Sequence, residues 1–257
     1  MSKVIEAVAV SLEYPIYSVK AQSLRNAVMN LAVGGTLLKN SSDIIFVKAL
    51  NNVTFSLSEG DRLGIVGHNG AGKTTLLKVL AGVYEPTRGM LNLRGRISSM
   101  VDIGLGVDGN LTGRENIINM GRRRGFTTRQ IVAKIPEIVE FSDLGQFIDL
   151  PFKTYSAGMS ARLVFGVATC FEPDILLLDE WIGAGDSGFV EKAKAKMNDI
   201  LAKSRVMVLA THNVDMIRDI CNKILVLEHG NQLFFGDVAD WDFAAKAPMQ
   251  PKTSIAV

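Results

Sequence analysis

The sequence predicts an α/β protein with a parallel sheet, and three observations support this fold class. From residue 174 onward, apolar runs with polar ends alternate with helical patterns, as in strands that crossover helices bury on both faces. A glycine-rich loop, GHNGAGKTT at 67–75, follows the apolar stretch RLGIV and opens a helix. Residues 103–152 are mostly helical instead, which indicates a block of helices inserted into the α/β order.

The N-terminal region predicts a strand and then a helix. Residues 4–12 alternate apolar and polar side chains, which is the two-residue period of a half-buried strand. In the segment that follows, Leu24, Val28 and Leu31 share one helical face, and a pair of glycines ends the helix.

The segments around the glycine-rich loop predict strands and one helix. Strands are expected on both sides of the turn at 59–61, a helix begins near Gly72, and short strands cover 90–102. In the helical block, Thr112 and Glu115 form a capping box. The last part predicts strands in ILLLDE, RVMVLATH and KILVLEHG, separated by helices at 187–202 and 213–221.

Composition narrows the class of protein. The chain of 257 residues is long enough for one large core, or for a core with a subdomain. A net charge of +2 gives no general argument for nucleic acid as a partner. Cys170 and Cys221 have no disulfide or metal spacing, which indicates a reducing compartment. There is no signal peptide and no apolar run near the roughly 18 residues of a membrane span, so we expect a protein that is soluble or held at a membrane by a partner.

The glycine-rich loop matches the P-loop pattern. Its glycines let backbone N–H groups surround phosphates, Lys73 neutralises the outer phosphates, and the Thr74 hydroxyl can bind Mg²⁺. We therefore expect the ATP-binding residues to be Gly67, His68, Asn69, Gly70, Ala71, Gly72, Lys73, Thr74 and Thr75.

A pair of carboxylates ends the strand ILLLDE at 175–180. This places Asp179 and Glu180 at the carboxyl edge of the sheet, where α/β proteins bind their ligands. We expect Asp179 to hold Mg²⁺ and Glu180 to orient or deprotonate the attacking water. A strand that ends in DE is by itself more often a surface pair, but a P-loop upstream favours the catalytic interpretation.

The stretch TYSAGMSARLVFGVAT at 154–169 places very small residues where a helix begins. Such a turn leaves N–H groups of the helix start open toward an anion, yet it contains no lysine to hold a phosphate. Taken alone, it is an ordinary helix cap.

In this order and spacing, the three motifs resemble those of the ATP-binding-cassette ATPases. The family's signature, usually written LSGGQ, corresponds to YSAGM at 155–159, and the resemblance covers about residues 44–240. It implies a P-loop core with a parallel sheet, an N-terminal antiparallel β subdomain and an inserted α-helical subdomain. It also implies that the signature turn covers ATP held by a second subunit, through Ser156, Ala157, Gly158 and Met159.

The resemblance implies roles for two further residues. Asp186, in GAGD at 183–186, occupies the D-loop position and is expected at the seam of a homodimer. His212, after the strand VMVLA, matches the switch histidine that contacts the γ-phosphate, and it joins Glu180 as a catalytic residue. A single histidine at a strand end is more often structural, but its place after the other motifs favours the catalytic role.

The sequence departs from the family pattern at two positions. Asp102 stands where the family has a glutamine that touches Mg²⁺; a carboxylate can approach the metal but cannot donate a hydrogen bond. Met159 replaces the last, polar residue of the signature. Phe46 precedes the strand where an aromatic residue would stack on adenine, although a phenylalanine in a strand is more often part of the core.

Four motifs resemble those of one branch of the family, the ATPase subunits of bacterial polysaccharide exporters. These motifs are YSAGM, LDEWIGAGD, LTGREN and GHNGAGKTTLLKVLAGVYEPTRG. The resemblance is greatest to exporters of lipopolysaccharide O-antigen, with teichoic acid and capsule exporters as alternatives. It implies ATP hydrolysis with Mg²⁺ by a homodimer beneath two copies of a transmembrane permease subunit, which carries a lipid-linked polysaccharide. The expected location is the cytoplasmic face of the bacterial inner membrane, without nucleic acid. A soluble, non-transport cassette ATPase is the alternative from another class.

These interpretations predict the following division of the chain. An N-terminal strand and helical insert occupy 1–43, and the β subdomain with the P-loop occupies 44–102. The helical subdomain, which ends in the signature helix, occupies 103–170. The remainder of the core occupies 171–240, and a loose tail occupies 241–257.

Overall fold

The computed structural model describes residues 3–16, 36–39, 45–101, 103–104, 106–180, 187–244 and 246–248. The chain divides into two compact units. The core unit comprises 1–95, 178–180 and 205–257, and the helical unit comprises 96–177 and 181–204.

From residue 45 to residue 228, the strands and helices follow the order that the sequence predicts. The strands are β1 (Lys3–Ile16), β2 (Thr36–Lys39), β3 (Ile45–Ser58), β4 (Arg62–Val66), β5 (Arg88–Leu93), β6 (Ile97–Ser99), β7 (Ile175–Asp179), β8 (Val206–Ala210), β9 (Lys223–Glu228), β10 (Asn231–Asp237), β11 (Trp241–Asp242) and β12 (Ala247–Pro248). The helices are α1 (Lys73–Leu80), α2 (Gly113–Arg123), α3 (Thr128–Ser142), α4 (Ala157–Thr169), α5 (Ser187–Lys203) and α6 (Val214–Ile220). Short 3-10 turns cover Gly145–Asp149, Phe152–Thr154 and Val238–Asp240.

The sheet of the core unit runs in the order β5-β1-β3-β10-β9-β4-β8. β1 pairs antiparallel with β3 and β5, which confirms the expected N-terminal antiparallel β subdomain. β4 lies parallel between β9 and β8, with Gly64 opposite Ile224 and Leu209. Every residue of β8 is buried, as expected for a strand covered on both faces. The carboxyl ends of β4 and β8 therefore lie at one edge of the sheet.

The helical unit packs α2, α3 and α4 around a shared apolar cluster. The cluster consists of Ile117, Met120, Ile131, Ile135, Ile138, Leu144, Ile148, Leu163, Val164, Val167 and Cys170. Two capping boxes fix the helix starts: the predicted one of Thr112 and Glu115 at α2, and a second one of Thr127 and Gln130 at α3. β6 and β7 pair in parallel, with Ile97 opposite Ile175.

Helix α5 lies in the helical unit, whereas the predicted division assigned it to the remainder of the core. Lys196 forms an ion pair with Glu137 of α3 at 2.8 Å, and the Lys192 ammonium donates to the Phe141 carbonyl at 2.9 Å. The Phe189 ring packs edge-on against Phe141. These contacts attach α5 to α3.

The first residues of the predicted tail, within 241–248, form two short strands. β11 and β12 pair antiparallel, with Asp242 opposite Ala247. Trp241 is 6% exposed and packs on Phe234 with ring centroids 5.1 Å apart, so burial of a large aromatic side chain holds this segment. The helix predicted around Leu24, Val28 and Leu31 lies outside the described residues. In the parts of the chain that the structure describes, no helix is long and apolar enough to cross a membrane.

A fully buried asparagine joins α2 to the loop before it. The Asn116 side chain accepts a hydrogen bond from the Asp108 N–H and donates to the carbonyls of Asp108, Leu111 and Thr112, at 2.8–3.2 Å. The change Asn116→Ala removes all of these side-chain hydrogen bonds at a fully buried position and takes away the acceptor of the Asp108 N–H, so we expect the free energy of unfolding to fall by about 2–3 kcal/mol. Urea denaturation measures this, with the exposed Asn110→Ala as control; equal losses in the two variants would contradict it.

Candidate functional site

The glycine-rich loop connects β4 to α1 at the carboxyl edge of the core-unit sheet. Gly70 and Gly72 have left-handed backbone angles, φ 80° and 105°, which side chains disfavour. A Cβ atom on Gly67 would overlap the Leu227 carbonyl oxygen, and one on Gly72 would lie 2.9 Å from the Ala49 carbonyl oxygen. Conformation and close packing therefore both select glycine in this loop. The side chains of His68 and Asn69 at its tip are exposed.

Lys73 folds back across the loop from the first turn of α1. Its ammonium group donates to the carbonyls of Gly67 and His68 at 2.8 and 3.1 Å. Burial lowers the pKa of Lys73, and the negative charges of Asp179 and Glu180 act in the opposite direction. The lysine and both carboxylates are thus within electrostatic reach of one another. Thr74 is exposed beside the lysine, and Thr75 is half-buried.

Glu180 and His212 are brought together by the ends of β7 and β8. The His212 Nδ1 lies 2.8 Å from Glu180 Oε1, with side chains 75% and 62% exposed. Because an ionised carboxylate only accepts hydrogen bonds, the Nδ1 carries the hydrogen in this pair. The Glu180 backbone has φ 63°, and its N–H donates to the Ala210 carbonyl at 2.8 Å. A left-handed conformation of a residue other than glycine is uncommon and is often found at functional sites.

The signature turn forms the start of α4 in the helical unit. The Ser156 hydroxyl caps the helix by accepting from the Met159 N–H at 3.2 Å, so the helix-cap interpretation of this serine is observed. Ser156, Ala157 and Gly158 are exposed, whereas Met159 packs against the apolar cluster of the unit. A Cβ atom on Gly158 would meet only the Ser156 Oγ, at 3.9 Å. The chain's own packing therefore does not require a glycine at 158.

Two of the predicted site residues, Asp102 and Asp186, lie outside the described residues. Within the described part of the chain, no three or more histidine, cysteine, aspartate and glutamate side chains form a cluster that could hold a metal ion. The oxygen donors of Thr74 and Asp179 are nevertheless of the kind that Mg²⁺ prefers when phosphates complete its shell.

The sequence singled out Phe46 as a candidate for stacking on adenine, but it did not single out Tyr14 or Tyr84. Phe46 is half-buried in β3, opposite Pro15. Tyr14 and Tyr84 are 38% and 42% exposed and stack with ring centroids 6.5 Å apart. Tyr14 pairs with Val47, two positions from Ala49, whose carbonyl lies against Gly72.

The turn between β9 and β10 also contacts the glycine-rich loop. The Gly230 N–H donates to the Ala71 carbonyl at 2.9 Å, and the His229 ring lies on the His68 ring with centroids 4.5 Å apart. The sequence signal for this turn is the short polar EHGN between two apolar runs, which predicts a two-residue hairpin but not the surface that it contacts.

The arginine-rich segment GRRRG at 121–125 is held by local contacts. Arg122 donates to the Thr128 hydroxyl, and Arg124 donates to the carbonyls of Met120 and Ile103. These bonds agree with a structural role at the end of α2 for both side chains.

Comparison with known proteins identifies the family. The family model for the ABC transporter matches residues 50–183. The chain is 44% identical over 221 residues to the O-antigen export system ATP-binding protein RfbE of Yersinia enterocolitica, covering 86% of this chain and 92% of that protein. The chain belongs to the ABC transporter family. It carries the ATP-binding and ATP-hydrolysing cassette of that family.

Two further relatives differ in the share of their own length that the match covers. The O-antigen export system ATP-binding protein RfbB of Klebsiella pneumoniae is 34% identical over 229 residues, with 89% of this chain and 92% of the relative covered. The teichoic acids export ATP-binding protein TagH of Bacillus cereus is 35% identical over 231 residues. That match covers 90% of this chain but only 40% of the relative.

Solved structures support the fold. An ATP-binding subunit of an ABC transporter superimposes with a TM-score of 0.66 at 20% identity, covering 92% of this chain and 91% of that chain. A dimeric ATP-binding cassette in a post-hydrolysis state with ADP and Pi superimposes with a TM-score of 0.64 at 18% identity, covering 91% and 98%. The predicted cassette fold is therefore confirmed.

Proposed function

We propose that the chain is the ATP-hydrolysing subunit of an exporter that moves lipid-linked O-antigen across the bacterial inner membrane. The observation that carries the catalytic part is the hydrogen bond between Glu180 and His212, within electrostatic reach of the P-loop Lys73. The observation that carries the substrate is the 44% identity to an O-antigen export protein over nearly the whole of both chains.

The nucleotide phosphates would lie in the loop Gly67–Gly72. Its backbone N–H groups and the Lys73 ammonium bind the negative charge, and the lysine exchanges its present bonds to the Gly67 and His68 carbonyls for the phosphate oxygens. Thr74 and Asp179 would hold Mg²⁺. When bound, the ion neutralises charge on the phosphate oxygens.

Glu180 is placed to take a proton from the attacking water. Its carboxylate lies at the end of β7, and the His212 N–H holds one of its oxygens at 2.8 Å, which leaves the other oxygen to orient the water. The left-handed backbone at Glu180 directs the side chain from a fixed point on the sheet edge. His212 thereby positions the base, and in its doubly protonated form its Nε2–H would donate to a phosphate oxygen.

A homodimer would complete each ATP site. The exposed Ser156, Ala157 and Gly158 present the N-terminus of α4 to the nucleotide of the partner subunit, and Asp186 would lie at the seam. ATP binding closes the dimer and hydrolysis opens it. Two copies of a transmembrane permease subunit receive the movement through the helical subdomain, which places the chain peripherally on the cytoplasmic face of the inner membrane, without nucleic acid.

An aromatic ring for the adenine is proposed at Tyr14. This side chain is exposed on the strand next to β3, close to the residues that contact Gly72, whereas Phe46 is half-buried within β3. Stacking requires an accessible ring face, which favours the tyrosine.

Export of teichoic acid or capsule is the second candidate function, supported by the Bacillus cereus relative at 35% identity. The O-antigen function is favoured because the chain is 44% identical to the Yersinia relative over 221 residues but 35% identical to the Bacillus one over 231 residues. A soluble cassette ATPase that acts on ribosomes or DNA is the alternative from another class. The experiment below distinguishes it from an exporter subunit.

The test is purification of the tagged chain from cells that express it together with the genes that neighbour its own. We expect a polytopic membrane protein to co-purify, and the chain to move from the soluble to the membrane fraction only when that partner is present. In Lys73→Ala, ATP affinity should fall more than tenfold because the phosphate loses its cation, while the partner still binds. Co-purification of ribosomes or DNA instead would overturn the export function.

A further inference from the structure

The hairpin tip, defined as His229 and Gly230 between β9 and β10, has a conformation that its sequence favours. Both residues are left-handed, with φ 47° and 80°, and Glu228 pairs with Asn231 across them. Two left-handed central residues are typical of the type I′ turn, which matches the twist of a hairpin. The turn is therefore well defined, and it holds the His229 side chain in a fixed direction.

Hydrogen bonds fix the hairpin tip to its surroundings on two sides. Gly230 donates its N–H to the Ala71 carbonyl at 2.9 Å, inside the P-loop, and accepts from the Asn51 N–H of β3 at 2.8 Å. The Asn51 side-chain amide donates to the Asn231 side chain at 2.7 Å. A Cβ atom on Gly230 would lie 2.6 Å from the Ala49 carbonyl oxygen, so the tip packs closely against β3 and has no space for a side chain at 230.

The hairpin tip also contacts the exposed half of the P-loop, defined as His68, Asn69 and Gly70, through the imidazole rings of His229 and His68. Their centroids are 4.5 Å apart and their planes are inclined by 56°. His68 Nδ1 lies 2.7 Å from the Asn69 carbonyl oxygen, and because a carbonyl only accepts, this nitrogen carries the hydrogen. The Lys73 ammonium binds the His68 carbonyl oxygen at 3.1 Å. The His68 side chain is thus held by its own loop on one side and by His229 on the other.

We infer that His229 is a positioning residue for phosphate binding, which acts by holding the His68 ring and, with it, the exposed half of the P-loop. The inference rests on the proposed function, because it assumes that this loop holds the ATP phosphates. A preformed loop does not have to be ordered when the nucleotide binds, so loss of the ring contact should weaken affinity without slowing the bound nucleotide's reaction.

The substitution His229→Asn removes the imidazole ring but keeps a residue that favours the turn. Asparagine before glycine is the preferred pair for a type I′ turn, so the hairpin should fold as well as before while the ring contact is lost. We expect the Kd and the KM for MgATP to rise about three- to tenfold, as for the loss of one ring contact, with kcat within twofold. His229→Phe, which keeps a ring, should restore the affinity to within twofold of the parent protein.

The measurements are titration of the purified full chain with a fluorescent ATP analogue and steady-state ATPase kinetics. The double variant His68→Ala with His229→Asn completes a double-variant cycle. Because both substitutions break the same ring contact, the double variant should bind ATP as tightly as the weaker-binding of the two single variants. Leu233→Ala, on the exposed face of the same hairpin, is the control and should leave affinity unchanged. Thermal unfolding of each variant establishes that the chain is folded at the temperature of the titration.

Three outcomes overturn the inference: affinity within twofold in His229→Asn, no rescue by His229→Phe, or additive effects of the two histidine substitutions. Lys73→Ala, measured beside them, separates this result from the proposed function. If Lys73→Ala loses ATP affinity while His229→Asn does not, only the role of His229 is overturned. If Lys73→Ala also binds normally, the proposed ATP site is overturned together with the inference.

Discussion

Glu180→Gln is expected to bind ATP with unchanged affinity and to lose about 10²-fold or more in turnover. The substitution keeps the size and hydrogen-bonding reach of the side chain but removes the oxygen that would accept the proton of the attacking water. Lys73 and the P-loop are untouched, so the phosphates keep their charge partners. Phosphate release under saturating ATP measures the turnover, and a fluorescent ATP analogue measures the affinity.

A matched control comes from the same sheet. Glu228 ends β9 as Glu180 follows β7, and it is also exposed. Glu228→Gln removes one carboxylate charge from the core unit without touching the pair of Glu180 and His212, so its turnover should remain that of the parent protein. If Glu180→Gln and Glu228→Gln both hydrolyse ATP at the parent rate, Glu180 is not the base.

Substitution of His212 tests the same catalytic pair from its other side chain. Removal of its ring in His212→Ala leaves the carboxylate in place but without the N–H that holds Oε1 at 2.8 Å. Turnover should fall in this variant also, and Glu180→Gln with His212→Ala together should cost no more than Glu180→Gln alone. Residues that act as one unit show such non-additive losses.

The elements that could be predicted from the sequence are those with a local cause. Glycine spacing and the lysine at 73 define the P-loop because the loop's conformation depends on glycine. Thr112 and Glu115 predict the start of α2 because the capping box is made by residues three positions apart. β8 was recognisable because burial on both faces leaves an uninterrupted apolar run.

Features that depend on contacts between distant segments could not be predicted. Helix α5 has an ordinary amphipathic sequence, and only its contacts with Glu137 and Phe141 place it in the helical unit. The burial of Trp241 depends on Phe234, and the contact between the hairpin tip and Ala71 joins opposite ends of the core unit's sequence. No local pattern reports such partners.

The candidate site shows the same division. The strand-end motif placed Glu180 at the sheet edge and the order of motifs placed His212 beside the same edge, and the structure joins the two by a hydrogen bond. The left-handed backbone at Glu180 had no signal in the sequence, because glutamate is not a residue that favours it. It accompanies a hydrogen bond from the Glu180 N–H to the Ala210 carbonyl, a contact between segments 30 residues apart.

Glu180→Gln is also the background for the second expectation, which concerns the signature turn. This variant should trap ATP and accumulate as a dimer, and addition of Gly158→Asp should abolish the dimer while ATP binding is retained. A carboxylate at 158 would face the γ-phosphate of the partner's nucleotide, and like charges at close range in a shielded site repel strongly. The P-loop of each subunit is unchanged, so the monomer should bind ATP at close to its former affinity.

The structure makes this test specific, because the substitution does not disturb the chain itself. Among the described residues, a Cβ atom at 158 would meet only the Ser156 Oγ, at 3.9 Å, and the residue lies in the first turn of α4, where a negative charge stabilises a helix. Thermal stability of the variant should therefore equal or exceed that of the parent protein. Gly158→Ala adds volume without charge and serves as the matched control. In the Glu180→Gln background, this variant should still form the dimer, at a higher ATP concentration than Glu180→Gln alone needs.

Size-exclusion chromatography with ATP reads out the result. We expect a dimer for Glu180→Gln and for its combination with Gly158→Ala, and a monomer for its combination with Gly158→Asp. A dimer in all three would mean that the turn is a helix cap only, as the bond between Ser156 and Met159 already is. Loss of ATP binding by the Gly158→Asp combination would mean that the turn serves the site of its own subunit. In either case the proposal of two half-sites facing each other across a homodimer would be wrong.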